Sequence, residues 1–285
     1  MDIKAVEKAA QKIQASLFKN SNSYSIGMLK SHFRGSGLQF KEHQIYTHGD
    51  DVRFIDWKLY AKTNTPYIKT FEEERNVEIV VFLDAGQSML FGHKGVSKLQ
   101  ASVEICGLLY LLAKETKDSV QVVVMDNEIN CLPKKAGKEG IVHLISLLES
   151  RNILNNNAEV NIFRKQNSFV SNRRRVSELT KYLSKKKEVI ILSDFNYFLP
   201  VQDLKKLLYK ANLHCFQVLS PLDEASEIPY PVHAYDTNSA IEKSHSVYGI
   251  GTRGNQNELQ QILGRKFKTL NVKNRYLEDF IKEML

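Results

Sequence analysis

The fold of this chain is decided by the stretch Ile79-Val80-Val81-Phe82-Leu83-Asp84-Ala85-Gly86-Gln87-Ser88-Met89. An unbroken apolar segment ends at Asp84, and a short polar loop follows at once. Continuous apolar runs are typical of parallel strands that are buried on both faces, and functional groups in such sheets collect where strands end. Asp84 and Ser88 carry oxygen atoms of the kind that a hard cation takes as ligands. The stretch therefore predicts a buried parallel strand with a candidate cation site at its carboxyl end.

Strand and helix patterns alternate along the rest of the chain, which predicts an α/β fold with a doubly wound, mainly parallel sheet. The predicted strands cover residues 77–83, 119–125, 128–132 (a hairpin partner), 188–192, 214–219 and 266–272. The predicted helices cover residues 97–116, 140–148, 176–185, 201–211 and 275–285. We assign 76–285 to this α/β domain. Residues 1–75 are expected to form an N-terminal extension, with an amphipathic helix over 3–19 and then turns, short strands and a short helix.

Composition is that of an ordinary globular protein. Of 285 residues, 42% are apolar and 25% are charged, and no apolar run approaches the ~20 residues that span a bilayer. The first residues carry acids and no long apolar core, so they do not resemble a secretory signal. The three cysteines have no paired spacing, which argues against a zinc site and favours a reducing compartment. We expect a cytoplasmic protein.

The net charge of +8 is concentrated in one segment. Residues 164–187 contain nine basic residues and one acid, with Arg173, Arg174 and Arg175 at the centre. Such a basic patch can hold nucleic acid, anionic lipid or an acidic protein surface. Aromatic residues are not interleaved through it, as a single-strand binding groove requires. We favour a solvated loop and helix face, and keep nucleic-acid binding as an alternative.

A second predicted strand also ends in a carboxylate, at Leu192-Ser193-Asp194. If both strands are central and parallel, then Asp84, Ser88, Ser193 and Asp194 share one edge of the sheet. This set would suit Mg²⁺, which prefers oxygen ligands and retains several waters. The alternative is that Asp84 and Asp194 cap the turns and helices that follow them.

The segment Gly49-Asp50-Asp51-Val52-Arg53-Phe54-Ile55-Asp56-Trp57 places three carboxylates close to an arginine. Because guanidinium pairs carboxylates bidentately, we favour a structural ion network around Arg53. Gly49 would supply a tight turn, and Trp57 would anchor the segment against the core. The alternative is general acid–base chemistry by one of the three aspartates, which requires a shifted pKa and a pocket.

Residues 34–92 resemble the bacterial domain-of-unknown-function family fifty-eight, whose members contain a von Willebrand factor A-like domain. The resemblance rests on Gly35-x-Gly37-Leu38-x-Phe40, Tyr46-x-x-Gly49-Asp50-Asp51-x-Arg53-x-Ile55-Asp56-Trp57, Ala61-Lys62, Phe71-Glu72-Glu73-Glu74-Arg75 and Asp84-x-Gly86-x-Ser88-Met89. The signature network that it implies consists of Arg34, Gly49, Asp50, Asp51, Arg53, Asp56 and Trp57. It also implies an α/β domain of von Willebrand factor A type.

This sequence departs from the metal site of von Willebrand factor A domains. That site uses an Asp-x-Ser-x-Ser loop, a threonine on a second loop and an aspartate on a third. Here Gly86 replaces the first serine, and residues 127–144 contain no threonine. Only Asp84, Ser88 and Asp194 match the metal ligands of that site. The resemblance therefore predicts a degenerate site that binds Mg²⁺ weakly or not at all.

The resemblance implies a non-enzymatic protein-interaction module. Its partner would be a MoxR-type AAA+ ATPase that remodels or matures a client protein. Two alternatives from other classes stay open. One is a metal-dependent hydrolase using Asp84, Asp194 and the aspartates of 49–57, and the other is a nucleic-acid binder using residues 164–187. The chain has neither a Gly-x-x-x-x-Gly-Lys-Ser/Thr loop nor a Gly-x-Ser-x-Gly elbow, so nucleotide hydrolysis and serine-esterase chemistry are not expected.

Overall fold

A six-stranded sheet with helices on both faces forms the centre of the structure. The structure is a computed structural model that describes residues 38–47, 50–73, 77–162, 164, 170–184, 187–196, 198–207, 212–224, 232–234, 245–247 and 256–284. The helix expected over 3–19, and the residues Arg34 and Gly49, lie outside these ranges.

The strands, in chain order, are β1 (Leu38–Ile45), β2 (Tyr67–Glu73), β3 (Glu78–Asp84), β4 (Gly92–His93), β5 (Val96–Ser97), β6 (Ser119–Met125), β7 (Ile129–Cys131), β8 (Lys187–Ser193), β9 (Asn212–Leu219), β10 (Val232–Ala234), β11 (His245–Val247) and β12 (Phe267–Asn271). The helices are α1 (Trp57–Thr63), α2 (Lys98–Thr116), α3 (Gly137–Ser150), α4 (Asn172–Tyr182), α5 (Val201–Leu207), α6 (Pro221–Glu224), α7 (Gln256–Leu263) and α8 (Tyr276–Met284). Single 3-10 turns cover Val52–Phe54, Gln87–Leu90 and Gly264–Lys266.

The sheet has the strand order β12-β9-β8-β3-β6-β7. All neighbours are parallel except β7, which returns antiparallel to β6 as a hairpin. Counted in chain order from the β7 edge, the strands run 3-2-1-4-5-6, which is the order of a doubly wound sheet. The predicted fold class is confirmed, and the predicted strands and helices of the α/β domain recur with shifts of a few residues at their ends.

Alternate residues of β3 point into two separate cores. Ile79, Val81 and Leu83 pack in the core under α2, α3 and α8. Val80 and Phe82 pack in the opposite core, which also contains apolar residues of α4, α5 and α7. Because both faces are covered, the strand is apolar at every position, and this is why its sequence reads as an unbroken run.

The extension contains a separate two-stranded antiparallel sheet of β1 and β2, with α1 between them. Asp56 begins α1, because its carboxylate accepts the backbone N–H groups of Lys58 and Leu59. Asn64 ends the helix in a left-handed conformation. Short strands and one short helix were expected here. The boundary at 75/76 falls beside β3 and stays a prediction.

Among the described helices, none is long and apolar enough to cross a bilayer.

Candidate functional site

The site lies at the topological switch point of the sheet. β3 has β6 on one side and β8 on the other. The chain adds β6 and β7 on one side of β3 and then crosses to add β8, β9 and β12 on the other side. A crevice opens at the carboxyl ends of strands at such a point, and ligands of doubly wound folds bind there. Asp84 is the last residue of β3. Ser193 is the last residue of β8, and Asp194 directly follows it. The sequence prediction that these side chains meet at one edge agrees with the geometry.

Asp84 is buried and directly bonded to the end of β8. Its Oδ2 atom accepts the Ser193 hydroxyl at 2.6 Å, and its Oδ1 atom accepts the Gly86 backbone N–H at 3.0 Å. Burial, together with the nearby charge of Asp194, raises the pKa of Asp84 to about 6. The carboxyl group therefore titrates close to neutral pH.

Asp194 is paired with a buried lysine, Lys98. The Lys98 ammonium lies 2.8 Å from Asp194 Oδ2 and 3.1 Å from Asp223 Oδ2. The Lys98 and Asp194 side chains are 1% and 0% exposed. Asp223 is held by Ser220, whose backbone N–H and hydroxyl both donate to it at 2.7 Å. A buried cation thus bridges two carboxylates at the sheet edge.

The position of Lys98 is electrostatically unusual. It is the first residue of α2, directly after the N-cap Ser97. A helix N-terminus carries partial positive charge and disfavours a cation. The two carboxylates must therefore offset both this repulsion and the loss of hydration of a buried ammonium.

The turn after β8 is held in an uncommon backbone conformation. Phe195 has φ 59, a left-handed value that non-glycine residues seldom adopt. Its N–H donates to the Ser193 hydroxyl at 2.9 Å, and the next N–H, of Asn196, donates to Asp194 Oδ1 at 3.1 Å. The Phe195 ring packs edge-on against Phe198 and Phe267. This packing holds the turn that presents both polar side chains.

A second buried ion pair lies at the end of β6. Arg164 Nη1 is 2.9 Å from Asp126 Oδ2, and Arg164 Nη2 donates to the Ala85 carbonyl. Burial raises the pKa of Asp126, while the charge of Arg164 acts in the opposite direction. The carboxylate that follows this strand is therefore also neutralised by an internal cation.

Arg175 does not belong to a surface patch, which corrects the prediction for the arginine triplet. It is 4% exposed, and its Nη1 atom donates to the Phe198 carbonyl at 2.8 Å. Arg173 and Arg174 are exposed, as expected. In α4, Arg175 and Leu179 are the buried positions, one helical turn apart on the inner face. The charge of Arg175 also lowers the pKa of Asp84.

The three aspartates of 49–57 do not share one network around Arg53, which corrects that interpretation. Among the residues that the structure describes, Arg53 pairs with Asp51, with its Nη2 atom 2.6 Å from Oδ2. Asp50 instead accepts the N–H and hydroxyl of Thr47, both at 2.8 Å. Asp56 caps α1 and lies 3.0 Å from His43 and 3.2 Å from Lys69.

These aspartates are all more acidic than usual. Hydrogen bonds from Thr47 lower the pKa of Asp50, and those from Arg53 lower the pKa of Asp51 to about 2. The Leu59 N–H and then His43 lower the pKa of Asp56. Such groups stay ionised near neutral pH, which does not suit a general acid.

Trp57 is not an anchor in the core, contrary to the prediction. It is 65% exposed and touches Tyr60 edge-on, with ring centroids 6.1 Å apart. Eight large apolar side chains are exposed among the residues that the structure describes, and five of them lie between residues 45 and 60. These five are close in sequence, and the rings of Trp57 and Tyr60 touch; we name them together the apolar patch: Ile45, Val52, Phe54, Trp57 and Tyr60.

The remaining predicted ligand, Ser88, lies partly buried in the 3-10 turn after β3. Within the described ranges, no group of three or more His, Cys, Asp or Glu side chains is placed to hold a metal ion.

Four residues at this edge were not predicted from the sequence: Lys98, Asp126, Arg164 and Asp223. Two signals were present: Lys98 opens a mostly apolar helix, and Asp126 follows an apolar strand just as Asp84 does. Nothing in the spacing indicated that Arg164 returns to this edge from a long polar segment.

Known proteins show similarity to parts of this chain. Uncharacterized proteins of Mycobacterium bovis and Mycobacterium tuberculosis are 30% identical over 78 residues, or 27% of this chain and 25% of theirs. The match thus covers about a quarter of those relatives' length.

Among solved structures, the conserved hypothetical protein BatB from Bacteroides thetaiotaomicron aligns with a TM-score of 0.44 and 13% identity, over 73% of this chain and 97% of that one. An aerotolerance-related membrane protein from Bacteroides fragilis gives 0.43 and 12%, over 73% and 98%. A von Willebrand factor type A structure from Catenulispora acidiphila gives 0.37 and 13%, over 76% and 43%. The family described as "Protein of unknown function DUF58" matches residues 42–227, well over half of the chain, so this chain belongs to that family.

Proposed function

We propose that this protein is a non-enzymatic interaction module that binds a MoxR-type AAA+ ATPase and assists it in remodelling or maturing a client protein. The observation that carries the proposal is the apolar patch. Large apolar side chains clustered on a protein surface mark binding sites more often than they mark ordinary surface.

The composition of the patch suits a protein interface. Trp57, Phe54 and Tyr60 are aromatic, and tryptophan and tyrosine are the side chains that most often dominate binding energy. The exposed fractions of Trp57 and Ile45 are 65% and 61%, so both have much surface left to bury.

The charged residues around the patch give it a defined shape. The cap of Asp56 on α1 and the pair of Asp51 with Arg53 fix the turn and helix that carry the aromatic rings. A surface that is ordered before binding loses less conformational entropy on binding. The family signature, on this proposal, shapes a docking surface.

The same geometry gives less support to a hydrolase. Asp50, Asp51 and Asp56 have lowered pKa values and serve local hydrogen bonds. Asp194 is buried in an ion pair with Lys98. Asp84 has the raised pKa that a general acid requires, but it is buried, and both of its oxygen atoms accept hydrogen bonds from the protein itself.

The central experiment measures the binding of this protein to a purified MoxR-type AAA+ ATPase by calorimetry. We expect Trp57→Ala to weaken binding by about tenfold or more, as is usual for a dominant aromatic contact. Phe91→Ala is the matched control, because Phe91 is 57% exposed but lies outside the patch. Equal affinity of wild type and Trp57→Ala would contradict the proposed surface. Absence of binding by the wild-type protein would contradict the proposed partner.

A further inference from the structure

We propose that Lys98 is a built-in counter-ion that replaces the divalent cation at the switch point of this sheet, so that the edge is assembled without metal. This inference concerns the candidate metal site and holds whether or not the proposed partner is correct. It rests on the arrangement of donors and charges around Asp84 and Asp194.

All four oxygen atoms of the two carboxylates already accept a hydrogen bond or an ion pair. Asp84 receives the Ser193 hydroxyl on one oxygen and the Gly86 N–H on the other. Asp194 receives the Lys98 ammonium at 2.8 Å on one oxygen and the Asn196 N–H at 3.1 Å on the other. A divalent ion, which requires several oxygen ligands, would have to share these oxygen atoms with the donors already bound to them.

Internal cations also offset most of the negative charge at the edge without an added ion. Four buried or nearly buried carboxylates surround the strand ends, and three buried cations lie among them. The carboxylates are Asp84, Asp126, Asp194 and Asp223, and the cations are Lys98, Arg164 and Arg175. A divalent ion next to a buried ammonium would meet strong repulsion at low dielectric.

The position of the missing serine agrees with this assignment. A Cβ atom on Gly86 would lie 3.1 Å from Asp84 Oδ1, which is a tight contact. The backbone N–H of Gly86 occupies that carboxylate oxygen in its place. The residues present therefore do not fit a divalent metal ion: one hydroxyl ligand is absent, and the carboxylates are engaged by the protein's own donors.

The test is a titration of the purified full chain with Mn²⁺, followed by electron paramagnetic resonance and by thermal melting. For wild type, we expect no saturable binding at millimolar Mn²⁺ and the same melting temperature in Mn²⁺ and in chelator. Saturable binding that Asp194→Asn abolishes would overturn the inference.

The variant Lys98→Met removes the proposed counter-ion without changing the length of the side chain greatly. We expect a lower melting temperature in chelator, because Asp194 loses its buried partner. We also expect a rise in melting temperature on adding Mn²⁺, which wild type does not show. Lys138→Met is the control, since Lys138 is an exposed lysine on α3, and it should change neither quantity.

A double variant keeps the test decisive if Lys98→Met folds poorly. Lys98→Met with Asp194→Asn removes both buried charges, and we expect it to melt at a higher temperature than Lys98→Met alone. A double variant that is no more stable than Lys98→Met alone would show that the two side chains are not coupled, and would overturn the counter-ion assignment.

Discussion

At the scale of single residues, burial changes what a carboxyl group does. Asp84 ends a strand whose neighbours cover it on both sides, and its pKa rises to about 6 because burial disfavours its charge. Asp51 lies at the surface beside Arg53, and its pKa falls to about 2. The same residue type thus titrates near pH 6 in one place and near pH 2 in the other.

Asp84 makes the free energy of unfolding depend on pH. Its pKa is higher in the folded protein than the value of about 4 in an unfolded chain, so the folded state binds more protons between these values. Stability from this group is therefore present below about pH 4 and is lost as the pH rises through about 6. We therefore compare the free energy of unfolding of Asp84→Asn with that of wild type at two pH values. The difference, variant minus wild type, should be more positive at pH 8 than at pH 4 by up to about 3 kcal/mol. Urea denaturation at the two pH values measures this, and a pH-independent difference would contradict the assignment.

Arg174 and Arg175 are adjacent in sequence but differ in role. We expect Arg175→Gln to lower the free energy of unfolding by about 1–3 kcal/mol, because the buried Phe198 carbonyl loses a charged donor. Arg174→Gln should change it by less than about 0.5 kcal/mol, since Arg174 is exposed. Chemical denaturation of both variants compares them directly, and equal effects would place Arg175 at the surface.

At the scale of elements, α2 and α3 approach closely at one glycine. A Cβ atom on Gly140 would lie 2.2 Å from the ring of Tyr110, which is fully buried in α2. Contact of this kind requires a residue without a side chain. The pair fixes the distance between two helices on the same face of the sheet.

We expect Gly140→Ala to destabilise the protein, although alanine is the better helix former. Overpacking costs about 1–3 kcal/mol, whereas the gain in helix propensity is at most about 1 kcal/mol. Thermal melting should show a lower midpoint for Gly140→Ala, with Lys138→Ala in the same helix unchanged. A higher midpoint for Gly140→Ala would mean that the two helices can separate without cost.

At the scale of the whole molecule, the excess positive charge is less available than the sequence indicates. Arg164 and Arg175 belong to the basic segment 164–187, yet both are buried and engaged by Asp126 or by backbone carbonyls. The segment therefore contributes less positive electrostatic potential to the protein surface than its sequence indicates.

We therefore expect only weak nucleic-acid binding that depends steeply on salt. Fluorescence anisotropy with duplex DNA should show affinity that falls sharply between about 50 and about 200 mM salt, and little binding at the higher value. Tight binding at the higher salt, lost in an Arg173→Gln/Arg174→Gln variant, would favour the nucleic-acid alternative.

The sequence alone determined the fold class and the edge of the sheet that carries the site. Buried parallel strands require apolar residues at every position, so β3, β6 and β8 are visible as runs, and the polar residues that end those runs mark the strand ends. Asp84, Ser193 and Asp194 were found in this way because local pattern and strand direction suffice to place them.

Tertiary structure alone decided what neutralises that edge and what the surface exposes. Lys98 is 96 residues from Asp194 along the chain, and Arg164 is 79 residues from Ala85. The pattern of apolar and polar residues within one segment does not indicate a partner so far away in the sequence. The exposure of Trp57 was likewise undecided, because an aromatic side chain suits a core and an interface equally well, and only packing reveals which of the two it serves.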